Sequence, residues 1–134
     1  MDGVTPANSF EDVFEHCEYV SLHIPVTSET KGAINYNLLK LLPKGGMLIN
    51  TARLDVVNEY DLLKLMGERN DITYVSDFIP KNEITFKEKF PTRIFYPAKK
   101  MGAQTEEANV NAGIAAAKQI IDFLDKGIDT FRVN

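Results

Sequence analysis

The sequence predicts an α/β fold, in which helices cover both faces of a parallel sheet. Short apolar runs rich in β-branched residues alternate with stretches of helical spacing, and this alternation is typical of parallel sheets. The predicted strands are short and mostly apolar, as expected where a sheet is buried on both faces. No internal repeat, linker or low-complexity tract interrupts the 134 residues, so we expect one structural unit.

The composition excludes several classes of protein. The chain is 44% hydrophobic and 25% charged, which is typical of a folded domain. Its 15 basic and 19 acidic residues give a net charge of −4 without a basic cluster, so neither nucleic acid nor a membrane is an expected partner. The apolar runs are too short to span a membrane, and the amino terminus lacks the features of a secretory signal. The single Cys17, expected to be buried, fits a reducing compartment, and we expect a cytoplasmic protein.

The chain begins with a predicted helix followed by a strand. Ser9 and Asp12 form a variant of the capping box, which starts a helix that ends near His16. The next run, EYVSLHIP, is rich in β-branched and aromatic residues. It predicts a strand over residues 19–24, which stops at Pro25.

A short helix, a buried strand and a longer helix come next. Leucines at helical spacing follow Asn35, and this helix must end by Pro43 because proline cannot continue it. The run MLIN, residues 47–50, is short and apolar and predicts a buried strand. Asn58 then caps a helix of about ten residues, in which Glu59 is a first-turn acid favoured by the helix dipole.

The second half of the chain contains two predicted strands and the longest helix. ITYVSDF predicts a strand over residues 72–78, and RIFYP predicts another over residues 93–97. Residues 79–91 are mixed and charged, and they give no clear prediction. Thr105 caps the last helix, which ends at Gly127.

No glycine-rich phosphate-binding motif is present in the sequence. Nothing matches GxGxxG or GxxxxGK[ST], and the KGG turn precedes a strand rather than a helix. The residues by themselves therefore predict an open α/β sheet with its site at the carboxyl ends of the strands.

Five segments occur together in a recognisable order: VSLHIPVTSETKGAIN, LLPKGGMLINTAR, VVNEYDLL, YVSDF and KKMGAQTEEA. In this order they resemble the D-isomer-specific 2-hydroxyacid dehydrogenases over nearly the whole chain, from Phe10 to Asn134. The resemblance implies the second half of a Rossmann-like NAD-binding domain with its closing helix. It also implies that the Gly-rich loop and the substrate domain are absent, so that residues 1–134 are a carboxyl-terminal fragment of a longer enzyme.

The resemblance implies hydride transfer between NAD and C2 of a phosphorylated 2-hydroxy acid, in an enzyme that is a homodimer when complete. Arg53 follows a buried strand, where its guanidinium can grip the substrate carboxylate in a planar fork. Asp77 ends another strand, where the family's aspartate accepts a hydrogen bond from the nicotinamide amide. The implied cofactor-binding residues lie at strand ends and in the loop before the last helix: His23, Pro25, Thr51, Ala52, Arg53, Asp77, Lys100, Gly102 and Ala103. For His23, a structural role at the strand end is the alternative.

The sequence departs from this family at the catalytic acid/base. Aligning MGAQT with the G-x-T segment puts Lys100 where most members carry a histidine, and Asn82 where most carry the glutamate that pairs with it. A nearby carboxylate raises the pKa of a lysine away from neutrality, so the joint loss of histidine and glutamate is coherent with a catalytic Lys100. The alternatives are a decayed site, Lys99 if the alignment shifts by one residue, and Glu83 as a substitute for the missing glutamate.

Two other functions are compatible with the sequence. The family resembles dimerising transcriptional co-repressors, so a non-enzymatic, dinucleotide-sensing protein on the same fold is one alternative. A dehydrogenase for another D-2-hydroxy acid is the other, because the choice of substrate and of NAD or NADP depends largely on parts that the resemblance places upstream of Met1. The fragment by itself is expected to be inactive.

Overall fold

The computed structural model describes residues 3–98 and 105–130, which belong to two compact units, Met1–Lys99 and Lys100–Asn134. The sequence predicted one unit because no Pro-, Gly- or Ser-rich linker marks the boundary. The first unit contains the following elements in chain order: α1 (Phe10–His16), β1 (Tyr19–Leu22), α2 (Tyr36–Leu39), β2 (Met47–Asn50), a 3-10 helix (Leu54–Val56), α3 (Glu59–Glu68), β3 (Thr73–Ser76), α4 (Glu83–Lys89) and β4 (Ile94–Phe95).

The four strands within residues 3–98 form one sheet in the order β1-β2-β3-β4, and all three strand pairs are parallel. The register aligns Leu22 with Asn50 and Asn50 with Ser76. The first three strands therefore end level with one another, and the loops that follow them lie at one edge of the sheet. The predicted α/β class with a parallel sheet is confirmed.

The core lies on one face of the sheet. Alternate residues of each strand are buried, and Leu48 pairs with the fully buried Tyr74 in the register. The ring of Tyr74 lies 6.1 Å from that of Phe86, which packs α4 against β3. The opposite face is less covered in the described residues, since Ile49 and Val75 are only half-buried.

The structure differs from the sequence prediction in several local features. The strand predicted over residues 19–24 ends at Leu22, and β4 has only two residues at the sheet edge. Helix α4 was not predicted, because its N-cap residue Asn82 makes no capping hydrogen bond and only Phe86 of the helix is buried. Cys17 is exposed, contrary to the prediction, because it lies at the end of α1 in the short link to β1.

The predicted helix caps are confirmed. The side chains of Ser9 and Asn58 accept hydrogen bonds from the N–H groups of residues three positions later. The described part of the second unit contains α5 (Glu106–Lys126), which Thr105 caps at its start. At its end, Gly127 has a φ of 66°, a left-handed conformation that suits glycine. Among the described residues, no helix is long and apolar enough to cross a membrane.

A partly buried ion pair joins the turn after α3 to the turn before β2. The Arg69 guanidinium donates to the Asp71 carboxylate at 2.6 and 3.2 Å, and to the carbonyl oxygens of Leu42 and Pro43. Asp71 also accepts from the N–H of Gly45 at 2.8 Å. Mainly because of the hydrogen bonds from Arg69, the pKa of Asp71 lies well below its ordinary value of 3.8. The ion pair thus holds together the two turns that precede the central strands, β2 and β3.

Replacing this carboxylate is expected to destabilise the fold in a pH-dependent way. Asp71→Asn should lower the free energy of unfolding at neutral pH by about 1–2 kcal/mol, since charge-assisted hydrogen bonds become neutral. The folded-state pKa lies below the unfolded value, so this contribution is present above pH 3.8 and is lost as the pH falls through the folded-state pKa. The difference in the free energy of unfolding between wild type and Asp71→Asn, measured by urea denaturation, should therefore become smaller as the pH falls. Glu88→Gln, an exposed change on α4, is the control, and an unchanged gap in acid would contradict the prediction.

Candidate functional site

An open groove of about 770 Å³ lies at the carboxyl edge of the sheet. It is lined by residues from the loops that follow β1, β2 and β3. Five predicted site residues line this groove: His23, Pro25, Thr51, Ala52 and Arg53. The structure therefore brings together residues that lie up to 30 positions apart in the sequence, such as His23 and Arg53, in the loops that follow two adjacent parallel strands.

The other predicted site residues are placed differently. Asp77 follows β3 at the same edge of the sheet, and its N–H donates to the carbonyl oxygen of Asn50 at 3.0 Å. Asp77 is half-buried and is not among the described residues that line the groove. Four predicted residues lie outside the part of the chain that the structure describes: Lys99, Lys100, Gly102 and Ala103. The position of the acid/base relative to the groove stays a prediction.

Asn50 fixes the loop that carries Arg53. This side chain is fully buried at the end of β2, and its Nδ2 donates to the carbonyl oxygen of Arg53 at 2.9 Å. Its Nδ2 also donates to the hydroxyl of Tyr74 at 3.3 Å, while its Oδ1 accepts from the N–H of Ala52 at 3.1 Å. An amide can donate and accept at the same time, which an apolar residue at this position cannot do. The backbone on both sides of Arg53 is thus held from the core.

The side chain of Arg53 carries an unbalanced positive charge into the groove. Its Nη1 donates to the carbonyl oxygen of Ala52 at 2.7 Å, and no carboxylate pairs with it within residues 3–98 and 105–130. The residue is exposed, so its remaining N–H groups are accessible to a ligand. A guanidinium in this state can bind a carboxylate through two parallel hydrogen bonds.

Lys81 and Asp55 form a second charged feature of the groove, which the sequence analysis missed. The Lys81 ammonium donates to the Asp55 carboxylate across the groove, from the loop after β3 to the 3-10 helix after β2. This hydrogen bond lowers the pKa of Asp55 and raises that of Lys81, so both groups stay charged near neutral pH. The two residues are 26 positions apart, and no sequence pattern predicts their contact.

Glu59 is a second residue whose role was not predicted. The sequence predicts only a first-turn acid here, but the residue is 93% buried and its carboxylate accepts three hydrogen bonds from the segment after β3. Its Oε1 accepts from the N–H of Lys81, and its Oε2 accepts from both the N–H and the Nδ2 of Asn82, each at 2.9 Å. The Asn82 side chain is therefore engaged with Glu59, and the backbone at Lys81 is held in place.

Glu83 and His23 have local partners. Glu83 accepts hydrogen bonds from Lys87 at 2.7 Å and from the Tyr96 hydroxyl at 2.9 Å, and these bonds lower its pKa. It lines a separate groove, beside β4, and not the groove that contains Arg53. The Nε2 of His23 lies 2.8 Å from the hydroxyl of Ser21, within hydrogen-bond distance.

Comparison with known families identifies the class of this protein. Residues 2–97 match the family described as D-isomer specific 2-hydroxyacid dehydrogenase, NAD binding domain. The chain belongs to this family. Its Rossmann-like fold and its cofactor, NAD, agree with the sequence prediction.

Individual relatives narrow the comparison. The crystal structure of NAD+-bound 3-phosphoglycerate dehydrogenase from Entamoeba histolytica is 46% identical, with a TM-score of 0.80, over 98% of this chain and 44% of that chain. The D-3-phosphoglycerate dehydrogenase of Haemophilus influenzae is 30% identical over 94% of this chain and 32% of its own length. The glyoxylate reductase of Thermococcus litoralis is 30% identical over 93% of this chain and 38% of its own length. The chain spans less than half the length of each of these relatives.

Removing the buried carboxylate of Glu59 is expected to loosen the loop that follows β3. Glu59→Ala leaves three donors without their acceptor and should lower the free energy of unfolding by about 2–4 kcal/mol. Glu59→Gln should cost less, because the amide oxygen can still accept. Denaturation by urea measures the stability, and amide hydrogen exchange should show lost protection at Lys81 and Asn82. Tyr60→Ala, 76% exposed on the same helical turn, is the control. Unchanged exchange at both amides in Glu59→Ala would contradict this role.

Proposed function

We propose that residues 1–134 form the second half of the NAD-binding domain of a D-3-phosphoglycerate dehydrogenase. This enzyme oxidises D-3-phosphoglycerate to 3-phosphohydroxypyruvate with NAD+, which is a step of serine biosynthesis. The observation that carries the proposal is the accessible guanidinium of Arg53 at the edge of an NAD-binding fold, on a backbone that is held from the core. The 46% identity to the NAD+-bound 3-phosphoglycerate dehydrogenase of Entamoeba histolytica supports this choice of substrate.

In this proposal Arg53 binds and orients the 2-hydroxy acid. Its guanidinium grips the substrate carboxylate and the oxygen on C2, which fixes the face of C2 that is presented to the cofactor. Bound NAD+ supplies the acceptor for the hydride that leaves C2. Asp77 accepts a hydrogen bond from the nicotinamide amide, and the loops that contain His23, Pro25 and Thr51 flank the cofactor.

Lys100 is the proposed acid/base, which takes the proton from the C2 hydroxyl during oxidation. To do so it must be a neutral amine, and a positive charge close to it, which we propose that Arg53 provides, would favour this state by lowering its pKa. The structure of the segment after β3 supports this choice. Asn82 presents an amide, already bonded to Glu59, where a histidine would need a carboxylate.

A second candidate is a dehydrogenase for an unphosphorylated D-2-hydroxy acid. The observation in its favour is the similar level of identity to other members of the family. The D-lactate dehydrogenase of Streptococcus agalactiae is 29% identical over 99% of this chain, and it is as similar to this chain as the Haemophilus influenzae enzyme.

A chimeric enzyme tests the proposal. This chain would replace the matching segment of the Entamoeba histolytica enzyme and, in a second chimera, that of the Streptococcus agalactiae D-lactate dehydrogenase. NADH formation would be followed with D-3-phosphoglycerate in the first chimera and with D-lactate in the second. We expect turnover of D-3-phosphoglycerate. Arg53→Lys should lower kcat/KM about 10²–10³-fold while NADH binding is retained, because an ammonium cannot form the planar fork. Lys44→Ala, an exposed change before β2, is the control.

The outcomes of this experiment separate the candidates. Turnover of D-lactate alone would favour the second candidate. NADH binding without turnover of either acid would favour a non-enzymatic protein, and full activity of Arg53→Lys would contradict the role of the guanidinium.

Variants of Lys100 in the first chimera test the acid/base. Lys100→Ala should lower kcat by about 10²–10⁴-fold, with a smaller effect on NADH binding. Lys100→His alone should recover little activity, because no carboxylate orients the ring. Adding Asn82→Glu should recover more, since repulsion from Glu59 turns the new carboxylate away from that residue. A double-mutant cycle measures this coupling. In the double variant, the apparent pKa of the acid/base, read from the pH profile of kcat, should lie closer to neutrality than in the wild type. Near-full activity of Lys100→Ala would make Lys99 or Glu83 the residue to test.

A further inference from the structure

The groove at the carboxyl edge of the sheet contains more positive than negative charge. Arg53, Lys81 and Asp55 all line it, and only Lys81 and Asp55 neutralise each other. A substrate with a single carboxylate requires only one of the two cations. Lys81 becomes a second free cation only when its pair with Asp55 separates, so a ligand that uses both cations must carry a second anionic group able to displace Asp55.

The position of Lys81 combines a fixed backbone with an accessible ammonium group. Its N–H is held by the buried carboxylate of Glu59, so the residue cannot shift far along the groove. Its side chain is 62% exposed even though it is paired with Asp55, so a dissolved anion can reach the Nζ atom. Residues that bind ligands commonly combine a rigid backbone with an exposed charged group.

An anion with more negative charge than a carboxylate can displace Asp55 from Lys81. A carboxylate carries one negative charge, whereas a phosphate monoester carries about 1.5 to 2 at neutral pH. Asp55 is 46% exposed, so water can hydrate it once the pair separates. The charge of Lys31 also contributes to the lowered pKa of Asp55, so the carboxylate keeps a neighbouring cation. The exchange therefore leaves no buried, unpaired charge.

We propose that Lys81 binds the phosphate group of a phosphorylated 2-hydroxy acid, taking it in exchange for Asp55, while Arg53 binds the carboxylate. The proposal rests on the proposed function, which supplies the 2-hydroxy acid. It adds a residue that selects phosphorylated substrates over unphosphorylated ones. The pyrophosphate of the dinucleotide offers the same chemistry, so the test must separate the two sources of phosphate.

Titration of the full 134-residue chain with D-3-phosphoglycerate, D-glycerate and NAD+, followed by NMR, tests the proposal. Wild type should bind D-3-phosphoglycerate more tightly than D-glycerate. Lys81→Met should weaken the binding of D-3-phosphoglycerate about tenfold, the loss of one charge-assisted contact, and leave D-glycerate and NAD+ unchanged. Asp55→Asn should strengthen the binding of D-3-phosphoglycerate, since the competing carboxylate is gone.

Lys87→Met is the matched control for this experiment. Lys87 is also 62% exposed and paired with a carboxylate, that of Glu83, but it lines the separate groove beside β4. This variant should bind all three ligands as the wild type does. A general effect of removing one surface charge would instead appear equally in both lysine variants.

Other results would overturn the proposal. A loss of NAD+ affinity in Lys81→Met would indicate that Lys81 binds the phosphates of the cofactor. If this variant kept the wild-type preference for D-3-phosphoglycerate over D-glycerate, Lys81 would only connect two loops through its pair with Asp55. No preference in the wild-type chain would exclude a phosphate site. The proposed function fails in a different way, namely when the first chimera does not turn over D-3-phosphoglycerate, whatever residue is present at position 81.

Discussion

Two buried polar side chains, Asn50 and Glu59, take up the hydrogen bonds that the backbone needs where the central strands end. A parallel sheet satisfies the N–H and C=O groups within its strands, but the loops beyond them lose these partners. Asn50 supplies both a donor and an acceptor to the loop after β2, and Glu59 supplies an acceptor to three donors after β3. In the described residues, no buried side-chain polar atom lacks a partner. The loops of the groove therefore have defined conformations because of the core beneath them.

This arrangement separates the part of the site that is fixed from the part that meets a ligand. The backbone beside Arg53 and at Lys81 is tied to buried groups, whereas both charged side chains are exposed in the groove. Binding a ligand then requires the ordering of two side chains and not of two loops, which lowers the entropic cost of binding. The same buried groups that stabilise the fold also hold the backbone that carries the two charged side chains of the groove.

The sequence was informative wherever the cause of a structure is local. The strands follow from short apolar runs, and Ser9, Asn58 and Thr105 were identified as caps because a capping residue contacts an N–H only three positions away. Helix α4 and the role of Glu59 depend on contacts between distant segments. The hydrogen bonds of Glu59 reach residues 22 and 23 positions later, and they engage the Asn82 side chain that a local prediction would use as a cap. A first-turn acid has a sufficient local explanation, so nothing in the sequence indicates its distant partners.

The state of the carboxylates near the groove bears on the choice between lysine and histidine as the acid/base. A lysine base must lose its proton near neutral pH, and any free carboxylate beside it opposes this loss. Of the described carboxylates at this edge of the sheet, Asp55 is paired with Lys81 and Glu59 is buried among three N–H donors. Asp77 is the carboxylate that the proposed function assigns to the nicotinamide amide. Position 82 contributes an amide, and Arg53 contributes a positive charge that no described carboxylate balances. If Lys100 lies beside this groove, as the proposed function requires, the positive charge of Arg53 would favour its neutral amine, which is the condition under which a lysine can replace the histidine of the family.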